Sequence, residues 1–272
     1  MDMKLGGASV LITGASKGIG KAAAEAFARE GCTLHLAARD GAALGDLAET
    51  LGRDHGVAAH VYAIDLSQPD SMEALAEAVG DVDVLINNAG DIPAGPIEAL
   101  TAEDWRRGFD LKVFGYIALA RAVYIGMKAR GSGVIINDIG NSGENWDYNY
   151  VAGSTGNAAL MAFTRAVGGQ SLDHGVRVVA VNPGPIATER MTKLMKRRAV
   201  DLHGDETRWQ EFLADYPGGR MGKPEEVADL MVFLASPRAG FISGAIFTID
   251  GGIASYGSII KPRPKRGEAT GA

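Results

Sequence analysis

The stretch Ser9-Val-Leu-Ile-Thr13, followed directly by Gly14-Ala-Ser-Lys-Gly-Ile-Gly20, decides the fold of this chain. A strand pattern runs straight into a glycine-rich turn, and a helical pattern begins at Gly20. Glycine lets a backbone approach a phosphate closely, and the free N–H groups of a helix N-terminus attract anions. Because the turn lies between a first strand and a first helix, it predicts a binding site for the pyrophosphate of a dinucleotide rather than an ordinary tight turn.

Short apolar runs alternate with longer helical patterns along the rest of the chain. We predict strands at Ser9–Thr13, Thr33–Ala37, Ala59–Ile64, Val82–Ile86, Val134–Asn137, Val176–Val181 and Ala245–Ile249. We predict helices at Gly20–Glu30, Met72–Val79, Trp105–Lys128, Ala158–Leu172 and Pro224–Leu234. This alternation predicts an α/β fold, a single-domain Rossmann-like doubly wound parallel sheet of about seven strands with helices on both faces. The domain would span residues 1–252, followed by a C-terminal extension at 253–272 that we expect to be solvated and mobile. The alternative is a tail that covers the site of a neighbouring subunit.

Composition excludes several classes of function. The net charge of −6 argues against a nucleic-acid surface. No apolar run approaches the roughly 18–20 residues that cross a bilayer, and no charged leader precedes the first strand. The single cysteine, Cys32, fits a reducing compartment. We therefore expect a cytoplasmic protein that contacts neither membrane nor nucleic acid, and no metal site, because the five histidines show no metal-ligand spacing.

Further motifs follow the predicted strands in order. They are Asp65-Leu66, Asn87-Asn88-Ala89-Gly90, Asn182-Pro-Gly-Pro-Ile-Ala-Thr188, Gly222-Lys-Pro-Glu-Glu-Val-Ala228 and Ile249-Asp-Gly-Gly252. Together with the first glycine-rich turn, this set resembles the short-chain dehydrogenase/reductase family over roughly residues 5–252. The resemblance implies an oxidoreductase that binds a nicotinamide dinucleotide and a small-molecule substrate, and that forms a homo-oligomer, a homotetramer in the family.

The motifs and the resemblance together give a set of cofactor-binding residues. By the resemblance, Asp65 accepts from the adenine amino group, Asn88–Gly90 line the ribose side, and Ile186 and Thr188 bind the nicotinamide carboxamide. The full set is Gly14, Ser16, Lys17, Gly18, Ile19, Gly20, Arg39, Asp65, Leu66, Asn88, Ala89, Gly90, Pro183, Gly184, Ile186 and Thr188.

The end of the second strand predicts which dinucleotide is bound. An acidic residue there would hold the free ribose hydroxyls of NAD, but this chain has Arg39. Arg39 and Lys17 would hold a 2′-phosphate between them, so we predict NADP(H) over NAD. The alternative is that Arg39 is a surface cation, with Asp40 as its salt-bridge partner.

All four positions at which the family keeps its catalytic Asn, Ser, Tyr and Lys are substituted here. Spacing from neighbouring motifs places Lys112, Gly140, Gly153 and Asn157 at these positions, in that order. A looser alignment shifts the helix by three residues, which makes Tyr150 the tyrosine and puts Ser154 at the lysine position. In either register the lysine is missing.

Another group would therefore have to supply the proton that reduction of a carbonyl requires. Lys112 is the leading candidate, because desolvation near a cationic nicotinamide would lower its pKa; the alternative is a structural cation. Tyr150 and Tyr148 come next, although both would also serve as pocket wall or subunit contact. Asn157 could hydrogen-bond the nicotinamide ribose, and Asp138 would end the fifth strand as a turn residue.

Residues 189–217 lie where the family has a mobile flap over its substrate. The apolar side chains and cations of this segment suit an apolar substrate with an anionic group, although an amphipathic helix with a solvated face has the same pattern. We therefore predict an NADP(H)-dependent oxidoreductase of carbonyls or secondary alcohols with non-standard proton-transfer residues. The alternatives are a non-redox lyase, isomerase or hydrolase, and a catalytically silent NADP-binding protein.

Overall fold

Seven strands form one sheet in the computed structural model, which describes residues 2–68 and 70–255. They are β1 (Ser9–Thr13), β2 (Thr33–Ala38), β3 (Ala59–Ala63), β4 (Val84–Asn87), β5 (Gly133–Asp138), β6 (Val176–Pro183) and β7 (Ile246–Ile249). All neighbours are parallel, in the order β3-β2-β1-β4-β5-β6-β7. The predicted single-domain Rossmann-like α/β fold is thereby confirmed, and each predicted strand ends within two residues of the observed one.

Eight α-helices connect these strands within the described residues. They are α1 (Gly18–Arg29), α2 (Gly41–His55), α3 (Ser71–Val79), α4 (Ala102–Phe109), α5 (Gly115–Arg130), α6 (Val151–Ser171), α7 (Glu189–His203) and α8 (Pro224–Ala235). The helix predicted at Trp105–Lys128 is confirmed, and it contains a π-helical turn at Asp110–Phe114 between α4 and α5. Such a turn inserts one residue without interrupting the apolar face, so periodicity does not reveal it.

Alternating side chains of each strand supply two separate cores. Val10 and Ile12 of β1 face the layer that contains Phe27 and α8, whereas Leu11 faces the layer of α5. Since all strands run parallel, their carboxyl ends open at one edge of the sheet. β1 lies between β2 and β4, so the chain changes direction across the sheet at this point, which is where open α/β sheets bind ligands.

The end of the chain lies only partly within the described residues. Residues 251–255 form turns after β7. The remainder of the predicted extension, residues 256–272, lies outside the described residues. In the part of the chain that the structure describes, no helix has both the length and the apolar character needed to cross a membrane.

Candidate active site

The glycine-rich turn leads into the N-terminus of α1 at the carboxyl end of β1. Lys17 occupies the N-cap position in an extended conformation, and no side chain caps the helix. The N–H groups of its first turn are therefore available to an anionic ligand. A Cβ on Gly20 would lie 2.3 Å from the carbonyl oxygen of Gly14, so only glycine lets α1 pack this closely under the turn.

Hydrogen bonds from the end of β4 fix the shape of this turn. The Thr13 hydroxyl accepts from the backbone N–H groups of Asn88 at 2.9 Å and Ala89 at 3.0 Å. The Asn88 amide donates in return to the Thr13 carbonyl at 2.8 Å. The phosphate turn and the Asn88-Ala89-Gly90 motif are thus held as one unit before any ligand binds.

A cleft of about 710 Å³ runs along the carboxyl ends of the strands beside this turn. Its volume lies within the range of ligand pockets, roughly 300–1,000 Å³. The predicted cofactor residues that line it are Gly14, Ser16, Lys17, Gly18, Ile19, Arg39, Asp65, Leu66, Asn88, Ala89, Gly90, Pro183, Gly184 and Thr188. Of the predicted set, Gly20 lies beneath the turn, and Ile186 lines a second cavity with Tyr216 and Arg220. An uncapped helix N-terminus within a cleft of this size fits a dinucleotide.

Arg39, the cation that directly follows β2, is available to bind a ligand. Asp40 is the N-cap of α2 and accepts from the N–H of Ala43 at 3.0 Å, so its carboxylate is already used by the helix. Arg39 is exposed at the cleft, and within residues 2–68 and 70–255 it forms no ion pair. Hydrogen bonds from Ser67, with a smaller contribution from the charge of Arg39, lower the pKa of Asp65.

Lys112 enters the same cleft from the π-helical turn between α4 and α5. Its half-buried side chain passes so close to Gly90 that a Cβ there would lie 2.8 Å from Lys112 Cδ. The ammonium donates to the carbonyl oxygen of Ile139 at 2.5 Å. Burial lowers the pKa of Lys112 to about 8, with Asp138 raising it and Arg190 lowering it further. An amine with this pKa can donate and accept protons near neutral pH.

Asp138 also faces the cleft, beside Lys112. It is the last residue of β5, paired with Val181 of β6, and not the turn residue that the sequence predicted. The hydroxyl of Tyr116 donates to its carbonyl oxygen at 3.0 Å. Burial raises the pKa of the Asp138 carboxyl to about 7, opposed by the charge of Lys112. A charged residue two positions after the apolar run Val134–Ile136 was the only sequence signal of this position.

Tyr150 precedes α6 and packs on the first turn of that helix. A Cβ on Gly153 would lie 2.0 Å from Cε1 and 2.1 Å from Cζ of the Tyr150 ring, so the ring occupies the space that a side chain at 153 would need. Burial raises the pKa of Tyr150, Arg190 lowers it and Asp91 raises it. Tyr150 is therefore near the Arg190 side of the cleft, although it does not belong to the cleft lining.

Replacing Gly153 by alanine is expected to destabilise the protein by about 1–3 kcal/mol, because the new methyl group would overlap the Tyr150 ring. Gly169→Ala on the same helix is the matched control, since nothing lies within 4 Å of a Cβ at that position. The control is expected to raise the free energy of unfolding by about 0.4–1 kcal/mol. Urea unfolding measures both changes, and equal effects of the two substitutions would contradict the packing of Tyr150 on Gly153.

The remaining predicted catalytic residues lie apart from the cleft lining. Asn157 is buried on α6 and donates to the Ser142 hydroxyl at 2.8 Å, while its Oδ1 has no partner among the described residues. A ligand hydroxyl would satisfy this oxygen. Tyr148 is exposed and donates to Glu98 at 3.0 Å, so the structure does not bring it to the cleft.

The structure brings Arg190, which the sequence analysis did not single out, to the cleft from the first turn of α7. Its guanidinium lies 3.3 Å from the Asp91 carboxylate and contacts the carbonyl oxygens of Gly90 and Ile92. The basic side chains farther along the flap point elsewhere. Lys193 and Arg197 are exposed, Lys196 pairs with Glu206, and Arg198 lies over the Phe212 ring.

Residues 14–254 match a protein-family model described as enoyl-(acyl carrier protein) reductase. Among curated proteins, the chain is 37% identical over 256 residues to the galactitol 2-dehydrogenase (L-tagatose-forming) of Cereibacter sphaeroides, covering 92% of this chain and 96% of that one.

Solved structures resemble the chain over a similar extent. L-sorbose reductase from Gluconobacter frateurii, complexed with NADPH and L-sorbose, superposes with a TM-score of 0.88 at 35% identity, covering 93% of this chain and 99% of that one. A 7α-hydroxysteroid dehydrogenase complexed with NADH and 7-oxo glycochenodeoxycholic acid has a TM-score of 0.81 at 27% identity, with coverages of 92% and 96%.

Proposed function

This chain belongs to the short-chain dehydrogenase/reductase family of oxidoreductases, and we propose that it interconverts a carbonyl and a secondary alcohol with NADP(H), using Lys112 for proton transfer. The observation that carries the proposal is the position of Lys112, whose ammonium lines the same cleft as the dinucleotide-binding motifs. The proposal adopts the alignment in which Gly140, Gly153 and Asn157 stand at the positions of the family's Ser, Tyr and Lys. Lys112 takes over the proton-transfer role of the missing groups.

The residues of the cleft hold the cofactor by charge and by backbone hydrogen bonds. The first turn of α1 binds the pyrophosphate, and Arg39 and Lys17 bind the 2′-phosphate of NADP. Thr188, which lines the same cleft as Lys112, holds the carboxamide end together with Ile186. When bound, the nicotinamide supplies or accepts hydride at the substrate carbon.

Lys112 moves the proton that accompanies this reaction. In reduction, the ammonium donates a proton to the substrate oxygen; in oxidation, the neutral amine accepts the hydroxyl proton. The protonated form is lost as the pH rises through about 8, the pKa that burial gives Lys112. Reduction therefore slows above about pH 8, and oxidation quickens over the same interval. Tyr150, which packs on the first turn of α6 outside the cleft lining, is the second candidate for this role.

The substrate we propose is an apolar ketone or alcohol that carries an anionic group. Arg190 supports this, because its guanidinium lies at the cleft and its ion pair with Asp91 is largely solvent-exposed. An exposed ion pair contributes only about 0–1 kcal/mol, so a substrate carboxylate can replace Asp91 at little cost.

The test is a fluorescence titration with NADPH, followed by a panel of ketones monitored by NADPH oxidation. The panel pairs neutral ketoses, L-sorbose and L-tagatose, with 7-oxo glycochenodeoxycholic acid and its uncharged methyl ester. NADPH binding with turnover supports the proposal, and a preference for the acid over its ester supports the anionic substrate. Binding without turnover on any ketone would favour a non-redox enzyme or a silent NADP-binding protein. Failure to bind NADPH or NADH would refute the proposal.

A further inference from the structure

We propose that Asp138 is a positioning residue that acts through its negative charge to keep Lys112 protonated inside the cleft. This inference rests on the function proposed above, in which the Lys112 ammonium is the proton donor. It assigns a role to a buried carboxylate that the cofactor-binding motifs do not use.

The geometry sets the two groups side by side without a direct ion pair. Lys112 Nζ donates to the carbonyl oxygen of Ile139, the residue next to Asp138. The hydroxyl of Tyr116 fixes the backbone of Asp138 by donating to its carbonyl oxygen at 3.0 Å. Both Lys112 and Asp138 line the cleft. Asp138 therefore acts on the ammonium through its charge and not through a direct ion pair, while Lys112 Nζ stays bonded to the neighbouring residue.

Within the described part of the chain, no hydrogen bond reaches either side-chain oxygen of Asp138, a residue that is 7% exposed. A buried, unpartnered carboxylate is costly unless a cation lies nearby. The charge of Lys112 lowers the pKa of Asp138, and the charge of Asp138 raises the pKa of Lys112, so each stabilises the ionised form of the other.

The other groups that face Lys112 do not replace Asp138. Arg190 of α7 repels the ammonium, and its own partner is Asp91 at 3.3 Å. Tyr116 of α5, whose ring centre lies 5.9 Å from Lys112 Nζ, is kept neutral by burial, which raises its pKa. Burial likewise raises the pKa of Tyr150 of α6. Asp138 is thus the carboxylate that offsets both the burial of Lys112 and the charge of Arg190.

The experiment measures the protonation of Lys112 directly in the full-length protein without cofactor. Trace acetylation with isotopic acetic anhydride across a pH series, read by mass spectrometry, gives a titration midpoint for each lysine. In Asp138→Asn, the midpoint of Lys112 is expected to fall by about one pH unit or more, because the variant removes the negative charge that favours the ammonium. Lys21 and Lys128, which are exposed and distant, serve as internal references. An unchanged Lys112 midpoint would overturn the proposal.

Two further variants separate charge from shape. Asp138→Glu keeps the charge, so the titration midpoint of Lys112 in this variant is expected to stay within about half a pH unit of wild type. The shift of the Lys112 midpoint in Asp138→Asn is the reference for this comparison. If the Lys112 midpoint falls as far in Asp138→Glu as in Asp138→Asn, the proposal is overturned. If Asp138→Asn does not fold, Asp138→Ser takes its place and the same midpoints decide. Asp229→Asn, an exposed carboxylate on α8, is the control for the loss of one negative charge.

This measurement needs neither cofactor nor turnover, so it separates the role of Asp138 from the proposed reaction. If the wild-type enzyme also reduces a ketone, the alkaline limb of its kcat/KM profile moves to lower pH in Asp138→Asn by the same number of pH units. If the protein reduces no ketone but the Lys112 midpoint shifts in Asp138→Asn, the role of Asp138 stands and the proposed function is refuted. If the protein reduces a ketone but the midpoint does not shift, the proposed function stands and the role of Asp138 is refuted.

Discussion

Replacing Lys112 by methionine is expected to lower kcat for ketone reduction by on the order of 10²–10⁴ and to leave the dissociation constant of NADPH nearly unchanged. Methionine keeps an unbranched side chain against Gly90 but removes the ammonium that donates to Ile139. Without a proton donor in the cleft, hydride addition would leave an uncompensated alkoxide on the substrate. Single-turnover measurements with saturating NADPH would separate the chemical step from product release.

Two variants serve as controls for the Lys112 result. Lys128→Met makes the same change on the exposed end of α5 and is expected to retain wild-type turnover. Tyr150→Phe removes the hydroxyl of the second candidate donor. Wild-type kcat in Lys112→Met together with a large loss in Tyr150→Phe would transfer the proton-donor role to Tyr150.

Replacing Arg39 by aspartate is expected to weaken NADPH binding by on the order of 10–100-fold, the typical cost of losing a charge-assisted hydrogen bond, and to strengthen NADH binding. The guanidinium at the end of β2 lines the cleft without an ion pair in the part of the chain that the structure describes. An aspartate there would repel a 2′-phosphate and accept hydrogen bonds from the free ribose hydroxyls of NAD. Fluorescence titration of the wild-type protein and of Arg39→Asp with NADPH and with NADH measures the change.

The control for Arg39 is Arg53→Asp, which makes the same charge change on an exposed part of α2 outside the cleft. It is expected to leave the ratio of NADPH to NADH affinity unchanged. If Arg39→Asp also leaves that ratio unchanged, Arg39 does not select the cofactor, and the preference must arise elsewhere in the cleft, with Lys17 the next residue to replace.

The sheet could be predicted because its signals are local. Each strand is a short apolar run bounded by a turn, and the glycine-rich segment between β1 and α1 carries its geometry in consecutive residues. The π-helical turn that carries Lys112 could not be predicted, since the register across Asp110–Phe114 depends on how α4 and α5 pack on the sheet. The sequence pattern places Lys112 on a helix but does not show where the side chain points.

The groups around Lys112 depend on contacts between distant segments. Asp138 acquires its burial from the packing of β5 between β4 and β6, and its carbonyl bond from Tyr116 on another element. Arg190 at the start of α7 meets Asp91, which follows β4, although the two segments are far apart in sequence. Neither Asp138 nor Arg190 belongs to a motif with a recognisable spacing, so the sequence predicts only a turn at Asp138 and gives no signal at Arg190.

The contact between Tyr150 and Gly153 also limits how this protein can evolve. A side chain introduced at position 153 would overlap the ring of Tyr150, which lies 2.0 Å from where its Cβ would be. Substitutions at 150 and 153 are therefore expected to be non-additive, because residues in contact are energetically coupled. A smaller residue at 150 would vacate the space that a side chain at 153 needs, so the order in which the two positions change matters for stability.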